Sequence, residues 1–308
     1  MKSIRIILLS VVSAILVSCG TTSTVPITGR KQRLMVTDEQ VLSLSNQQYQ
    51  QYMQSAKLSA NATNTAMVKR VGQKLAQAVV RYLNANGLSN EVNNYAWEFN
   101  LVQSKEVNAF CMPGGKIVVY EGLLPVTQDE ASLAIVLGHE IAHAVAKHSA
   151  ERLSNEYKNQ YGSQILGAVL QGAGLGEGTQ QLISLGTQLG SQLWTSGFSR
   201  KQESEADHMG LIFAAMAGYN PQVATSFWQR MASQSSGSGG LFSDHPSDAK
   251  RIQQIQNWLP QAQQYYHAAK GTTATSNAKS AKTGTKTTKS GTKTTNTKSK
   301  TKQSFHIG

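Results

Sequence analysis

The sequence predicts an α+β domain that is mostly helical, with one small β-sheet beside a deeply buried helix. Three observations carry this. Residues 129–145 are apolar nearly all round, with Ala131, Leu133, Ala134, Ile135, Val136, Leu137, Ile141, Ala142 and Val145, the pattern of a helix covered on every side. Residues 97–120 change to a period of two, as strands do. The segments on either side return to helical spacing.

Taken in order, the first nineteen residues have the parts of an export signal. Lys2 and Arg5 form a charged start, Ile6 to Val17 an apolar run, and small residues follow. That run is too short for a comfortable membrane span. Pro26 and the TTST run after Cys19 suit a flexible tether over 19–35. Thr37 opens a helix with a capping-box pattern toward Gln40, and its thin apolar set of Val41, Leu44 and Tyr52 suits a helix lying over the exterior. A second helix is expected over 64–83, where Met67, Val68, Val71, Leu75, Ala78, Val79 and Tyr82 recur at helical spacing. The run Asn84-Ala85-Asn86-Gly87 ends it.

Trp97, Phe99 and Leu101 then alternate with Glu98 and Asn100, which reads as a strand. Residues 108–112 and 116–120 form two more, joined through Pro113-Gly114-Gly115. The buried helix follows from Asp129. Residues 162–193 are Gly-rich and apolar, but Gln, Ser and Thr interrupt them, so no membrane span is expected. They read as a helical pair with a turn near 172–178. Helices near 200–217 and 221–233, a loop SQSSGSGGLFSDHPSD and a last helix over 247–258 complete a body of 36–268. Residues 269–308 are a Lys/Thr/Ser/Gly tail that cannot bury a core and reads as disordered.

Composition narrows the functions. The 308 residues suffice for one large domain or two small ones, and 40 % are hydrophobic. Nine of the 29 basic residues are tail lysines; without them and Lys2 and Arg5, the net charge of +12 falls to about +1. The body is therefore no general nucleic-acid binder. The Lys-rich tail suits attraction to anionic envelope polymers or lipids. Cys19 and Cys111 are the only cysteines. With Cys19 lipidated no internal disulfide is possible, and Cys111, in an apolar strand, reads as a small buried hydrophobe.

The stretch GHEIAHAVAKH at 138–148 carries the chemistry. His139 and His143, four apart, share one helix face and suit a single Zn²⁺. Glu140 lies beside the first ligand, near the metal but not on it, placed to take a proton from the water that attacks a carbonyl. A catalytic zinc takes three protein ligands, and the third is sought in SRKQESEAD at 199–207. Glu203 and Asp207 share a face, so Glu203 as ligand leaves Asp207 to accept the free N–H of a ligating His. Glu205 then becomes a flanking surface or pocket carboxylate. His148, on the same helical length, faces away and suits a helix-end role; His208 reads as structural.

GHEIAHAVAKH, ESEAD and NAFCMPGGKIVVYEGLL together resemble the HtpX and CAAX-prenyl-protease type of zinc metallopeptidase, a gluzincin family, and most closely its soluble lipoprotein branch typified by LoiP and BepA. The resemblance covers roughly 36–260, and it implies a zincin-like fold with one zinc per chain. The family signature falls on His139, Glu140, His143, Glu203 and Asp207. The resemblance further implies that the Asn108-Ala109-Phe110 strand edge pairs with extended substrate. It also implies that His245 and Arg251 steady the oxyanion, His245 reaching the zinc in a latent state. Leu16-Val17-Ser18-Cys19 resembles a lipobox, implying a lipid anchor at Cys19 after removal of residues 1–18. Gly20 is consistent with sorting to the outer membrane. The expectation is a zinc-dependent endopeptidase on the periplasmic face, acting on misfolded or misassembled envelope proteins. The alternative is a chaperone-like or adaptor lipoprotein of outer-membrane protein assembly, with latent protease activity.

Overall fold

A computed structural model of the chain describes residues 20–170, 178–190, 192–195, 197–234 and 249–281. Residues 1–19, read as an export signal ending at Cys19, residues 172–177 of the expected Gly-rich turn, the segment holding His245 and the residues beyond 281 lie outside the described residues.

A short hairpin comes first, β1 (Thr21–Thr24) antiparallel to β2 (Lys31–Leu34). This corrects the flexible tether expected over these residues. Val25 and Leu34 are buried, the Met35 N–H donates to Ser154 Oγ at 2.8 Å, and the Gln32 amide donates to the Ala146 carbonyl at 2.8 Å. A polar, Thr-rich segment is thus held by its few apolar residues and by hydrogen bonds to the body. Composition alone could not reveal those contacts.

Helices α1 (Asp38–Ser55) and α2 (Ala62–Ala85) follow. The capping box between Thr37 and Gln40 forms as expected. Along α2, Val68, Val71, Leu75, Ala78 and Val79 are fully buried. The three expected strands are β3 (Glu98–Val102), β4 (Ala109–Met112) and β5 (Lys116–Tyr120). They assemble in the order β3-β5-β4, with β5 parallel to β3 and antiparallel to β4. The Pro113-Gly114-Gly115 turn makes the β4–β5 hairpin, both glycines adopting positive φ that a side chain would resist. β4 is an edge strand of this sheet. Cys111 is buried within it, and that apolar setting pushes its thiol pKa well up, as suits an inert hydrophobe.

After the short α3 (Leu124–Thr127), the central helix α4 spans Glu130–Val145 and is capped by Asp129, which accepts from the Ser132 N–H at 2.6 Å. Leu133, Leu137 and Ile141 are fully buried, and each such side chain contributes about 1.5–3 kcal/mol. α5 (His148–Leu170) and α6 (Gly178–Leu189) form the expected helical pair, followed by α7 (Gln192–Thr195). α8 (Arg200–Met216) starts at a second capping box, Ser199 with Gln202, and packs against α4. The final pieces are α9 (Val223–Gln234) and α10 (Ala249–Ala281). α10 runs past its expected stop at Trp258, as far as Ala281. Pro260 sits inside it, and the Ala and Gln of 261–270 favour a helix. Ala262 is buried, with Tyr265 and Tyr266 against the core.

No helix among the described residues is long and apolar enough to cross a membrane.

Candidate metal centre

The centre forms where α4 and α8 cross, and two glycines permit that crossing. A Cβ on Gly210 would lie 2.5 Å from the His139 backbone nitrogen, and one on Gly138 would lie 2.6 Å from the Gly210 carbonyl oxygen. Only helices bare at these positions approach so closely. The approach brings residues 203 and 207 of one helix to residues 139 and 143 of the other.

His139, Glu140 and His143 are each 2 % exposed, and Glu203 is 8 % exposed. The two Nε2 atoms face each other at 3.1 Å. Glu203 presents Oε2 3.5 Å from His139 Nε2 and Oε1 3.5 Å from His143 Nε2. One atom from each residue thus converges on a common point, and among the described residues this is the group that could hold a metal ion.

Behind each imidazole stands a separate support. His139 Nδ1 lies 2.9 Å from Asp207 Oδ1, and Arg251 Nη2 donates to the same oxygen at 2.7 Å. Burial opposes the Asp207 charge, but the adjacent Arg251 and His139 overcome this and depress its pKa. Arg251 is buried over the face of Trp228, 3.4 Å from the ring centre, with Nη1 3.9 Å from Glu203 Oε2. The expected Asp207–His139 contact is therefore present, and Arg251 sits beside both acidic members of the site. His245 lies outside the described residues.

The second support departs from expectation. α4 does not continue through His148: it stops at Val145, and Lys147 takes a left-handed φ of 57°. Lys147 is held by Asp38 at 2.8 Å and Glu91 at 2.9 Å. The chain turns there, and His148 starts the next helix aimed back at the site. His148 is fully buried, with Nδ1 2.9 Å from His143 Nδ1 and Nε2 3.0 Å from Glu205 Oε2. Of the surface or pocket places anticipated for Glu205 it takes the buried one, and His148, expected to face away, is buried and turned toward His143. A continuous helix would have carried His148 to the opposite face, and Glu205 is covered by the hairpin that composition disguised as a tether. Burial lowers the pKa of His148. For Glu205 burial acts the other way, but hydrogen bonds from His148, Thr28 and Arg30 prevail and hold it at about 2. His208 is structural as expected, stacked on Trp258 with its ring centroid 4.7 Å away and bonded to Gln261 at 2.8 Å.

Asn108, Ala109 and Phe110 run into the edge strand β4. The Asn108 carbonyl accepts from Tyr120 N at 3.0 Å, so alternation turns the Ala109 backbone groups away from β5. The Ala109 N–H donates to the Asn108 side chain at 2.8 Å.

A buried histidine pair one turn apart, a carboxylate from a second helix and a glutamate next to the first histidine form a group that could hold a metal ion in the manner of a metallopeptidase. Residues 43–259 match the profile of peptidase family M48, and the chain belongs to that family. It is 32 % identical over 192 residues to mitochondrial metalloendopeptidase OMA1 of Schizosaccharomyces pombe, covering 61 % of this chain and 53 % of that protein. It is 28 % identical over 227 residues to metalloprotease LoiP of Escherichia coli, covering 73 % and 83 %. To the beta-barrel assembly-enhancing protease of Yersinia pestis it is 26 % identical over 223 residues, covering 71 % and 44 %. The chain thus spans about half the length of the OMA1 relative. The resemblance read from the motifs holds at the level of the family, and mitochondrial as well as bacterial proteins share it.

Proposed function

We propose that the protein is a zinc-dependent endopeptidase of the bacterial cell envelope that hydrolyses misfolded or misassembled envelope proteins. The observation that carries the reading is the convergence of His139, His143 and Glu203. A tetrahedral zinc with bonds of about 2.0–2.1 Å sets its ligand atoms ~3.3–3.4 Å apart. The two Nε2 atoms lie 3.1 Å apart, Glu203 presents a different oxygen 3.5 Å from each, and one atom of each residue lies within 4.8 Å of the others. Two imidazoles and a carboxylate also suit zinc chemically. When bound, zinc supplies Lewis-acid polarisation and a water ionised near neutral pH.

The chain's own groups do the rest. Substrate lies extended along the β4 edge at Asn108–Phe110, adding a strand. Glu140, buried beside the ligands, accepts the proton of the attacking water and returns it to the leaving amine. Asp207 fixes the tautomer and direction of the His139 ring. For the charge that develops on the carbonyl oxygen the candidates are His245 and Arg251, and Arg251 brings a cation to within 3.9 Å of Glu203. The sequence supports this location: residues 1–18 have the parts of an export signal and Leu16-Val17-Ser18-Cys19 resembles a lipobox, which suits a lipid anchor at Cys19 on the periplasmic face of the outer membrane. The Lys-rich tail adds attraction to anionic polymers.

Incubation of zinc-loaded protein with unfolded casein and with an outer-membrane protein tests this. Wild type cleaves, while Glu140→Gln keeps its zinc and does not. Full cleavage by Glu140→Gln would sink the mechanism.

A further inference from the structure

His148 and Glu205 join the metal centre to a part of the chain that precedes the family match. With a metal on its Nε2, His143 would carry its proton on Nδ1 and donate it to His148 Nδ1, 2.9 Å away. His148 would then carry its own proton on Nε2 and donate it to Glu205 Oε2, 3.0 Å away. Turned the other way, two N–H groups would face each other. Glu205 is completed from the β1–β2 turn, where the Thr28 hydroxyl donates to Oε1 and Arg30 Nε donates to Oε2 at 2.7 Å. The other side of the Arg30 fork grips Glu151, Nη1 at 2.6 Å and Nη2 at 2.8 Å. The Gln202 amide donates to Glu151 at 2.8 Å.

We propose that Thr28 and Arg30 are positioning residues of the metal centre, fixing the His143 ring through Glu205 and His148. The inference rests on the reading of His139, His143 and Glu203 as zinc ligands, and adds to it a support that the motif does not contain. Three facts carry it. The contacts from His143 through His148 to Glu205 can all be satisfied in a single donor-to-acceptor sense, and that sense is the one a metal-bound His143 Nε2 requires. The series is shielded, His148 being fully buried and the Glu205 and Arg30 side chains 5 % and 13 % exposed. The hairpin also binds the carbonyl of Ala146, just past the end of α4, through Gln32, so it holds the ligand helix as well as the ligand ring. A carboxylate behind a ligating imidazole orients it and raises its basicity; here that carboxylate acts through a second imidazole. The segment next to Cys19 is thus part of the metal site.

The test is zinc affinity by competition with a chromogenic chelator, together with the visible spectrum of the Co²⁺-substituted protein. Thr28→Val removes one hydroxyl, Arg30→Lys keeps the charge without the fork, and Glu205→Gln keeps the shape without the charge. Val79→Ala, in the core of α2, serves as a destabilised control. The three relay variants should bind zinc about 10- to 100-fold more weakly, Thr28→Val least affected, with a shifted Co²⁺ band. Val79→Ala should keep wild-type affinity and spectrum. Wild-type affinity and spectrum in all three relay variants would overturn the proposal, as would an equal loss in Val79→Ala. Wild type that takes up no zinc would instead overturn the ligand assignment beneath it.

Discussion

His139 and His143 are one helical turn apart and face the same point, yet they are held from opposite sides by supports of different reach. His139 is backed directly by Asp207, and Asp207 by Arg251 from the last helix. His143 is backed through His148 by Glu205, and Glu205 by Arg30 from the first hairpin. Each support runs from imidazole to carboxylate to guanidinium, and the second has one extra ring. Two distant parts of the chain, residues 28–30 and 251, therefore close on one metal centre. The short support concentrates its charges in a fully buried pair. The long one shares its arginine between two carboxylates at the margin of the core.

This difference orders the expected effects. Asp207→Ala should be the most damaging, because it leaves the Arg251 guanidinium buried without its closest carboxylate. Breaking a buried pair in this way costs about 3–5 kcal/mol, measurable as a shift in the urea midpoint. Glu205→Ala should cost less, since Arg30 keeps Glu151. An equal or larger loss there would erase the distinction between the supports.

Next comes Gly210→Ala, which attacks both supports at once by forcing α8 away from α4. Overpacking of this kind costs about 1–3 kcal/mol, and zinc content should fall with stability. A variant that is stable and keeps its zinc would show that the close crossing does not set the ligand distances.

A smaller effect is expected from acid. Burial opposes the charge of Glu151, but the Arg30 fork and the Gln202 amide prevail and depress its pKa. A depressed carboxylate contributes stability that is present above its unfolded pKa, about 4.3, and is lost as pH falls through the folded value. Glu151→Gln should therefore flatten the fall of the thermal midpoint below about pH 4.3. An unchanged acid limb would remove Glu151 from the long support. Least affected should be Arg70→Ala, which breaks an exposed ion pair with Glu130 far from either support. A loss above about 1 kcal/mol would be unexpected for such a pair.

The Asp207 part of the short support was legible in the sequence, whereas Arg251 behind Asp207 and the whole of the long support were not. His139, His143, Glu203 and Asp207 each repeat at four-residue spacing, so helix geometry alone puts them on common faces. Once α4 and α8 are recognised, only their crossing is missing. Strands β3, β4 and β5 were legible through alternation and the Pro-Gly-Gly turn. The long support depends on events that leave little local trace. A left-handed Lys147 ends α4 where a non-glycine residue gives no warning, its cost met by contacts with Asp38 and Glu91 from other elements. A Thr-rich hairpin docks by Val25, Leu34 and Gln32, although its composition suits a tether. The available signals were small: a GR step at Gly29-Arg30 suggesting a turn, and Glu205 beside an otherwise apolar helix face.

The central claim is that His139, His143 and Glu203 hold one zinc ion, and anomalous diffraction at the zinc edge of crystals of the protein grown with zinc tests it most directly. A single strong peak is expected within bonding distance of both Nε2 atoms and the Glu203 carboxylate. A peak bound elsewhere, with these three side chains left uncoordinated, would contradict it.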